Sequence, residues 1–188
     1  MSKVSNRQPI LKPQDLFVLL ALLAHDQGSL PGSSGASYAA LADQTGLAIS
    51  AVHASLKRAV AARLLVFQER RPVLLKTQVR EFLLHGAKYA YAPGWSSLTR
   101  GVPTGYAAAP LNTLIAPSSD PPPVWPHAKG SVRGIGLAPL YPSVPEAALR
   151  DERLYALLAL FDAVRAGQAR EREAAVRLLD AYFTSATA

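Results

Sequence analysis

The chain has 188 residues and a mass of 20.0 kDa, with 49% apolar and 18% charged residues, enough to bury one core and too hydrophobic to stay unfolded throughout. It has no cysteine, which excludes disulfides, zinc–thiolate and iron–sulfur sites and thiol catalysis. Its formal charge of +7 favours a polyanionic partner, and the surplus sits in residues 1–90, with 11 Lys/Arg against 5 Asp/Glu, while residues 91–188 hold 9 against 8.

Residues 1–9 read as a polar tail. Residues 13–26 predict a first helix around nine apolar residues, Leu16 to Ala24. Behind Lys3, Arg7 and Lys12 this run has the outline of a signal peptide. Pro13 and Asp15, however, suit the first turn of a helix. No small-x-small cleavage site follows, and the run is far short of the ~20 residues a membrane span needs. The expectation is a central, buried helix in a cytoplasmic protein without membrane contact. Residues 27–36 form a Gly/Ser/Pro loop. Residues 37–45 predict a second helix, capped by the Ser37 hydroxyl and ended by Gly46. Residues 49–63 predict a third. Leu64 to Phe67 and Val73 to Leu75 flank residues 68–72 as a β-hairpin with a basic tip. A helix over 77–85 puts Val79, Phe82 and Leu83 on one face and closes at Gly86.

The stretch 93–145 holds 11 of the 15 prolines, six glycines and only four charged residues. Its proline content predicts no regular secondary structure. With Trp95, Tyr106, Trp125 and Tyr141 as anchors, it reads as an extended arm that docks on its own domain or on a protein partner. Residues 145–166 and 168–183 predict helices. Leu154, Leu157, Leu158, Phe161 and Val164 follow one helix face, continued by Leu179 and Tyr182. A self-complementary face of Leu154, Leu157, Leu158, Phe161, Leu179 and Tyr182 predicts a homodimer interface. Asp151, Glu152, Glu171 and Glu173 alternate with Arg153, Arg170 and Arg172 as surface ion pairs.

The most specific segment is residues 41–58. Leu41 packs inward, Ala42 lets two helices cross closely, Gly46 makes the turn, and Leu47 plugs the angle. Val52, Leu56 and Ala59 face the core. These residue types at these spacings are what a helix-turn-helix requires. Ser50, Ala54, Lys57 and Ala61 point outward, flanked by Ala51, His53 and Arg58. Small residues near the helix start allow entry into a major groove. Lys57, Arg58, Arg63, Arg70 and Arg71 are candidate phosphate contacts, in a run of seven Lys/Arg and one acid over residues 57–80.

Over residues 13–90 the chain resembles a winged helix-turn-helix, most like the MarR-type bacterial transcriptional regulators. The resemblance rests on the L-A-x-x-x-G-L-x-x-S-x-V-x-x-x-L-x-R pattern. It implies a dimeric repressor with one recognition helix per half-site. Ser50, His53, Ala54, Lys57 and Arg58 match recognition-helix positions, and Arg70 and Arg71 match the wing tip. Ala54 stands where many such regulators carry Arg, and the Pro-rich stretch has no counterpart in that fold.

Alternatives stay open at this point. The winged unit could bind protein, the basic residues could be a solvated face, and His53 could be a polar surface residue. The Pro-rich arm could clasp a protein partner, making the chain an antitoxin-like regulator with DNA binding secondary. A pocket near Trp95, Trp125 or Tyr106 could take an inducer. His25, His85 and His127 lack metal-ligand spacing, and no nucleophile–base pair or cofactor loop emerges. The expectation is therefore a non-enzyme without cofactor. It is mainly α with a small β-hairpin, with a winged unit over 10–90, an arm over 91–145 and a helical dimerisation region over 146–184.

Overall fold

A helix that is apolar on every side has to be enclosed, and the architecture is organised around that demand. The computed structural model describes residues 10–28, 36–116 and 119–184. The expected tail over 1–9 and most of the expected Gly/Ser/Pro loop lie outside them. The first helix, α1 (Pro13–Gly28), has every residue from Leu16 to Ala24 buried. It packs against α2 (Tyr38–Thr45), α3 (Ile49–Ala61) and a late helix, α7 (Glu152–Ala166).

The local signals of α2 act as expected. The Ser37 hydroxyl accepts the Ala40 amide at 3.1 Å, and Gly46 takes a left-handed φ of 69° that carries the chain into α3. After α3 come β1 (Leu65–Gln68) and β2 (Arg71–Leu74), an antiparallel pair in register from Leu65↔Leu74 to Gln68↔Arg71. Glu69 and Arg70 turn the hairpin with φ of 48° and 65°. Two positive φ values in succession make the turn whose twist suits a two-residue hairpin.

Gly86 does not close the next helix. α4 (Lys76–Glu81) passes into a π turn over Phe82–Gly86 and on into α5 (Ala87–Ala90). The backbone of Gly86 stays on the right-handed side, and a Cβ there would crowd the Phe82 ring at 3.1 Å. Glycine therefore makes room for a ring within the helix and does not end it.

The Pro-rich stretch is the largest departure from expectation. It is not an extended arm but a small sheet of three strands, β3 (Trp95–Pro103), β4 (Pro123–Pro126) and β5 (Val132–Leu137). β3 pairs antiparallel with both others, β4 and β5 pair parallel, and the three close on themselves. Pro103, Pro123 and Pro126 stand at strand ends, where a missing N–H costs little. The glycines inside the strands serve close approach. A Cβ at Gly101 would overlap the Trp125 carbonyl, and one at Gly134 the Pro122 carbonyl.

The C-terminal region is three helices rather than two: α6 (Val144–Arg150), α7 and α8 (Ala169–Thr184). Asp151 breaks the first from the second, its carboxylate accepting the Arg153 and Leu154 amides at 3.0 Å each. The expected dimer face is corrected here. Leu154, Leu157, Leu158, Phe161 and Leu179 are 0–1% exposed within the single chain, and Tyr182 is half-buried against the same core. α1 and α7 are each other's apolar partners, so this face has no surface left for a second copy. One hydrophobic cluster runs through all three expected segments, from Leu16 and Leu41 through Val102 and Trp125 to Leu158 and Leu179. The fold is mixed α/β. No helix among the described residues is long and apolar enough to cross a membrane.

The sheet is bolted to α7 by one carboxylate. Asp162 Oδ2 accepts the Trp125 indole N–H at 2.6 Å and the Thr104 hydroxyl at 2.8 Å, and Oδ1 accepts Arg165 Nε at 2.7 Å. Arg165 then donates to the carbonyl of Ala138 at 2.6 Å and to that of Tyr91 at 3.4 Å. Both charges are buried, paired and hydrogen-bonded, the condition under which such a pair is tolerated. The expected chain of surface ion pairs takes another form. Asp151 also accepts Gln44 Nε2 at 2.7 Å, and Arg172 donates to the carbonyls of Val164 and Gly167.

Candidate nucleic-acid interface

The residues of the helix–turn–helix pattern fall where their types demand. Leu41, Ala42, Leu47, Val52, Leu56 and Ala59 are all buried. The turn is gripped from outside by the start of α6, where the Ser143 hydroxyl donates to the Thr45 carbonyl at 2.7 Å. Arg150 Nη2 donates to the Asp43 carbonyl at 3.2 Å. The C-terminal helices thus hold α2 in place and fix the angle at which α3 is presented.

The outer side of α3 carries Ser50, His53, Lys57 and Ala61, all exposed, with Ala51 and Ala54 half-buried beside them. Ala48 caps the helix without a side-chain hydrogen bond, and no acid lies in the first turn. The positive end of the helix dipole is therefore offset by no side chain, which favours an approaching anion. His53 packs against a neighbouring ring with the two planes tilted by 52°. Its ring lies 5.6 Å from Tyr38 of α2, and Tyr38 lies 6.4 Å from Phe67 of β1, centroid to centroid. This trio joins α2, α3 and the hairpin across their outer surface. Tyr38 and Phe67 are contributors that sequence reading passed over. Phe67 sits in an apolar strand pattern, and nothing local signals that its side chain turns outward.

Among the described residues, three take left-handed backbone without being glycine: Arg63, Glu69 and Arg70. Glycine is the usual solution at such positions, because a Cβ there costs about 1–2 kcal/mol. Two of the three are exposed arginines, one just past the end of α3 and one at the hairpin tip. Arg71 is exposed beside them on β2.

Arg58 does not belong to this face. Its Nε and Nη2 donate to the two carboxylate oxygens of Asp15 at 2.7 and 2.6 Å, and Asp15 is fully buried. The hydrogen bond to that carboxylate holds the Arg58 guanidinium above its ordinary pKa, against the pull of burial. Asp15 also accepts the Lys12 amide at 2.8 Å, and Gln14 adds a 3.0 Å bond to the Ser55 hydroxyl. Arg58 is therefore a clamp between α3 and α1 rather than a free phosphate contact. Arg58→Ala should cost about 3 kcal/mol, because it strands a buried carboxylate. Urea denaturation measures this, and an unchanged midpoint would contradict the clamp. Arg80, from the same basic run, is engaged with Asp180 of α8. The exposed cations of the run are Lys57, Arg63, Arg70 and Arg71.

Comparison of the chain with protein-family models, with curated proteins and with solved structures finds no match in any of the three.

Proposed function

We propose that the chain is a sequence-selective transcriptional regulator that binds double-stranded DNA through a winged helix-turn-helix, in the manner of a MarR-like repressor. In this reading α3 enters the major groove and the β1–β2 hairpin lies along the neighbouring backbone. The observation that carries it is the two-sidedness of α3. One side is clamped to α1 through Arg58 and Asp15, while the other presents Ser50 and small alanines, a helix start without a side-chain cap, the exposed Ile49, and Lys57. Ser50, Ala51 and Ala54 keep the helix narrow where groove depth limits approach, and His53 and Lys57 reach beyond them. Arg63, Arg70 and Arg71 supply phosphate contacts on either side.

Two-fold assembly through the C-terminal helices forms no part of the proposal, since their apolar face is spent inside the chain. The protein-clasping reading is the second one, and one of the four anchors it names is engaged within the chain. Trp125, the deepest anchor of the Pro-rich stretch, is satisfied by Asp162 of its own chain. The test is selection of bound duplexes from a random DNA pool, followed by titration of the winning duplex at 50 and 200 mM salt. The expected result is a single enriched motif, with affinity falling ~100-fold over that range if four phosphate contacts are made. A pool that returns without enrichment would overturn the reading.

A further inference from the structure

We propose that the groove lined by Arg100 and Arg133 on the three-stranded sheet is a binding site for a small phosphate monoester, held as its dianion. Strand register sets the two arginines directly opposite each other, Arg100 on β3 and Arg133 on β5. Partners in an antiparallel pair stand about 5 Å apart at Cβ, and like charges placed there repel. Both side chains are exposed, and among the described residues neither guanidinium makes a hydrogen bond or an ion pair. Both line one groove of about 470 Å³, whose other walls are Leu98, Thr99, Ser131 and Val132. That volume is within the range of small-molecule sites, and no acid lines it.

The backbone beneath the pair is fixed from the other face. Gly101 follows Arg100 and Gly134 follows Arg133, and successive residues of a strand point to opposite faces. A Cβ at Gly101 would overlap the Trp125 carbonyl and one at Gly134 the Pro122 carbonyl, so the chain of β4 passes close behind both arginines. The Arg100 carbonyl also accepts the His127 amide at 3.2 Å. Two guanidinium forks therefore stand on a pinned ladder. Such forks match phosphate oxygens two at a time, and a doubly charged group between them turns the repulsion into attraction. Leu98, 43% exposed, gives wall for the organic part of an ester.

The positive charge is local. Residues 91–188 hold 9 Lys/Arg against 8 Asp/Glu, and Lys129, the cation nearest Arg133 in sequence, is met by Glu146 at 3.9 Å. A nucleic-acid backbone calls for cations along its track, whereas one isolated pair answers one doubly charged group. No residue of α3 or of the hairpin lines the groove, so the proposal stands apart from the DNA reading.

The test uses the full chain and phenyl phosphate as probe at about pH 7.5, where a phosphate monoester carries about two charges. Phenyl methyl phosphate and phenol are its singly charged and neutral counterparts, and binding is read by calorimetry. The expected result is saturable binding of phenyl phosphate, at least ten-fold tighter than either counterpart. Binding should weaken as pH falls through about 6, where the monoester takes up a proton. The double variant Arg100→Gln/Arg133→Gln should weaken it at least ten-fold with the melting temperature at or above the parent's, since it removes a repelling pair and breaks no bond. Arg133→Lys, which keeps the charge and loses the fork, should fall between. A flat titration, equal binding of phenyl methyl phosphate, or a double variant that binds as well as the parent would each overturn the proposal. So would a double variant that loses affinity for duplex DNA, which would assign the pair to the nucleic-acid backbone.

Discussion

Replacing Leu157 with Asp should unfold the protein rather than release monomers from a dimer. Leu157 is 0% exposed within one chain, packed in the core that α7 shares with α1. An unpaired carboxylate there costs several kcal/mol, a large part of the 5–15 kcal/mol that holds a typical domain together. Leu157→Ala is the milder companion, with an expected loss of 2–5 kcal/mol from lost contact and the cavity left behind. Circular dichroism and size exclusion separate the outcomes. A Leu157→Asp protein that keeps its helix signal and elutes at half the parent's mass would show that this face joins two copies.

Asp162→Ala should loosen the three-stranded sheet from α7. The substitution strips the counter-charge from Arg165, whose side chain is 4% exposed, and leaves the Trp125 indole N–H and the Thr104 hydroxyl buried without an acceptor. Breaking a buried pair by removing one member costs about 3–5 kcal/mol. Trp125 should then meet water, so its emission should shift to the red, and the 95–137 region should become open to limited proteolysis. Asp162→Asn keeps an acceptor oxygen for Trp125 and should fall between parent and Ala. An unchanged melting temperature in Asp162→Ala would contradict the bolt.

How much of this was legible in the sequence differs by element. α2 and the turn into α3 were readable because their signals are local: a serine hydroxyl at the cap, a glycine at the left-handed residue, and apolar spacing of four. α1 was readable as central because it has no polar side. The same argument applies to most of α7, whose two charged residues past the first turn, Asp162 and Arg165, are buried and paired with each other. Leu160, Ala159 and Ala163 fill the sides away from Leu154, Leu157 and Phe161, and all are buried. A helix apolar all round belongs in a core, whereas an interface helix keeps a polar back.

The sheet was hidden for a different reason. Proline and glycine counts argue against strands in general, but here the prolines stand at strand ends and the glycines where strands touch. Composition carries no such positional information. Arg58 shows the limit at the candidate site. Its spacing places it on the flank of the outward residues, and only the fold reveals that Asp15, 43 positions earlier, holds it. One cue was present: an acid beside nine apolar residues needs a buried partner.

The central claim is that α3 and the hairpin read DNA with Lys57 and Arg70, while Arg58 braces the helix from behind. The most direct test is the affinity of Lys57→Ala/Arg70→Ala for the selected duplex, measured by fluorescence anisotropy across a salt series. Both residues are exposed, so the melting temperature should stay at the parent's value. Affinity should fall at least ten-fold, and the slope of log affinity against log salt should shrink by about two. Parent-like affinity with an unchanged slope would contradict the account and turn this face into a solvated surface.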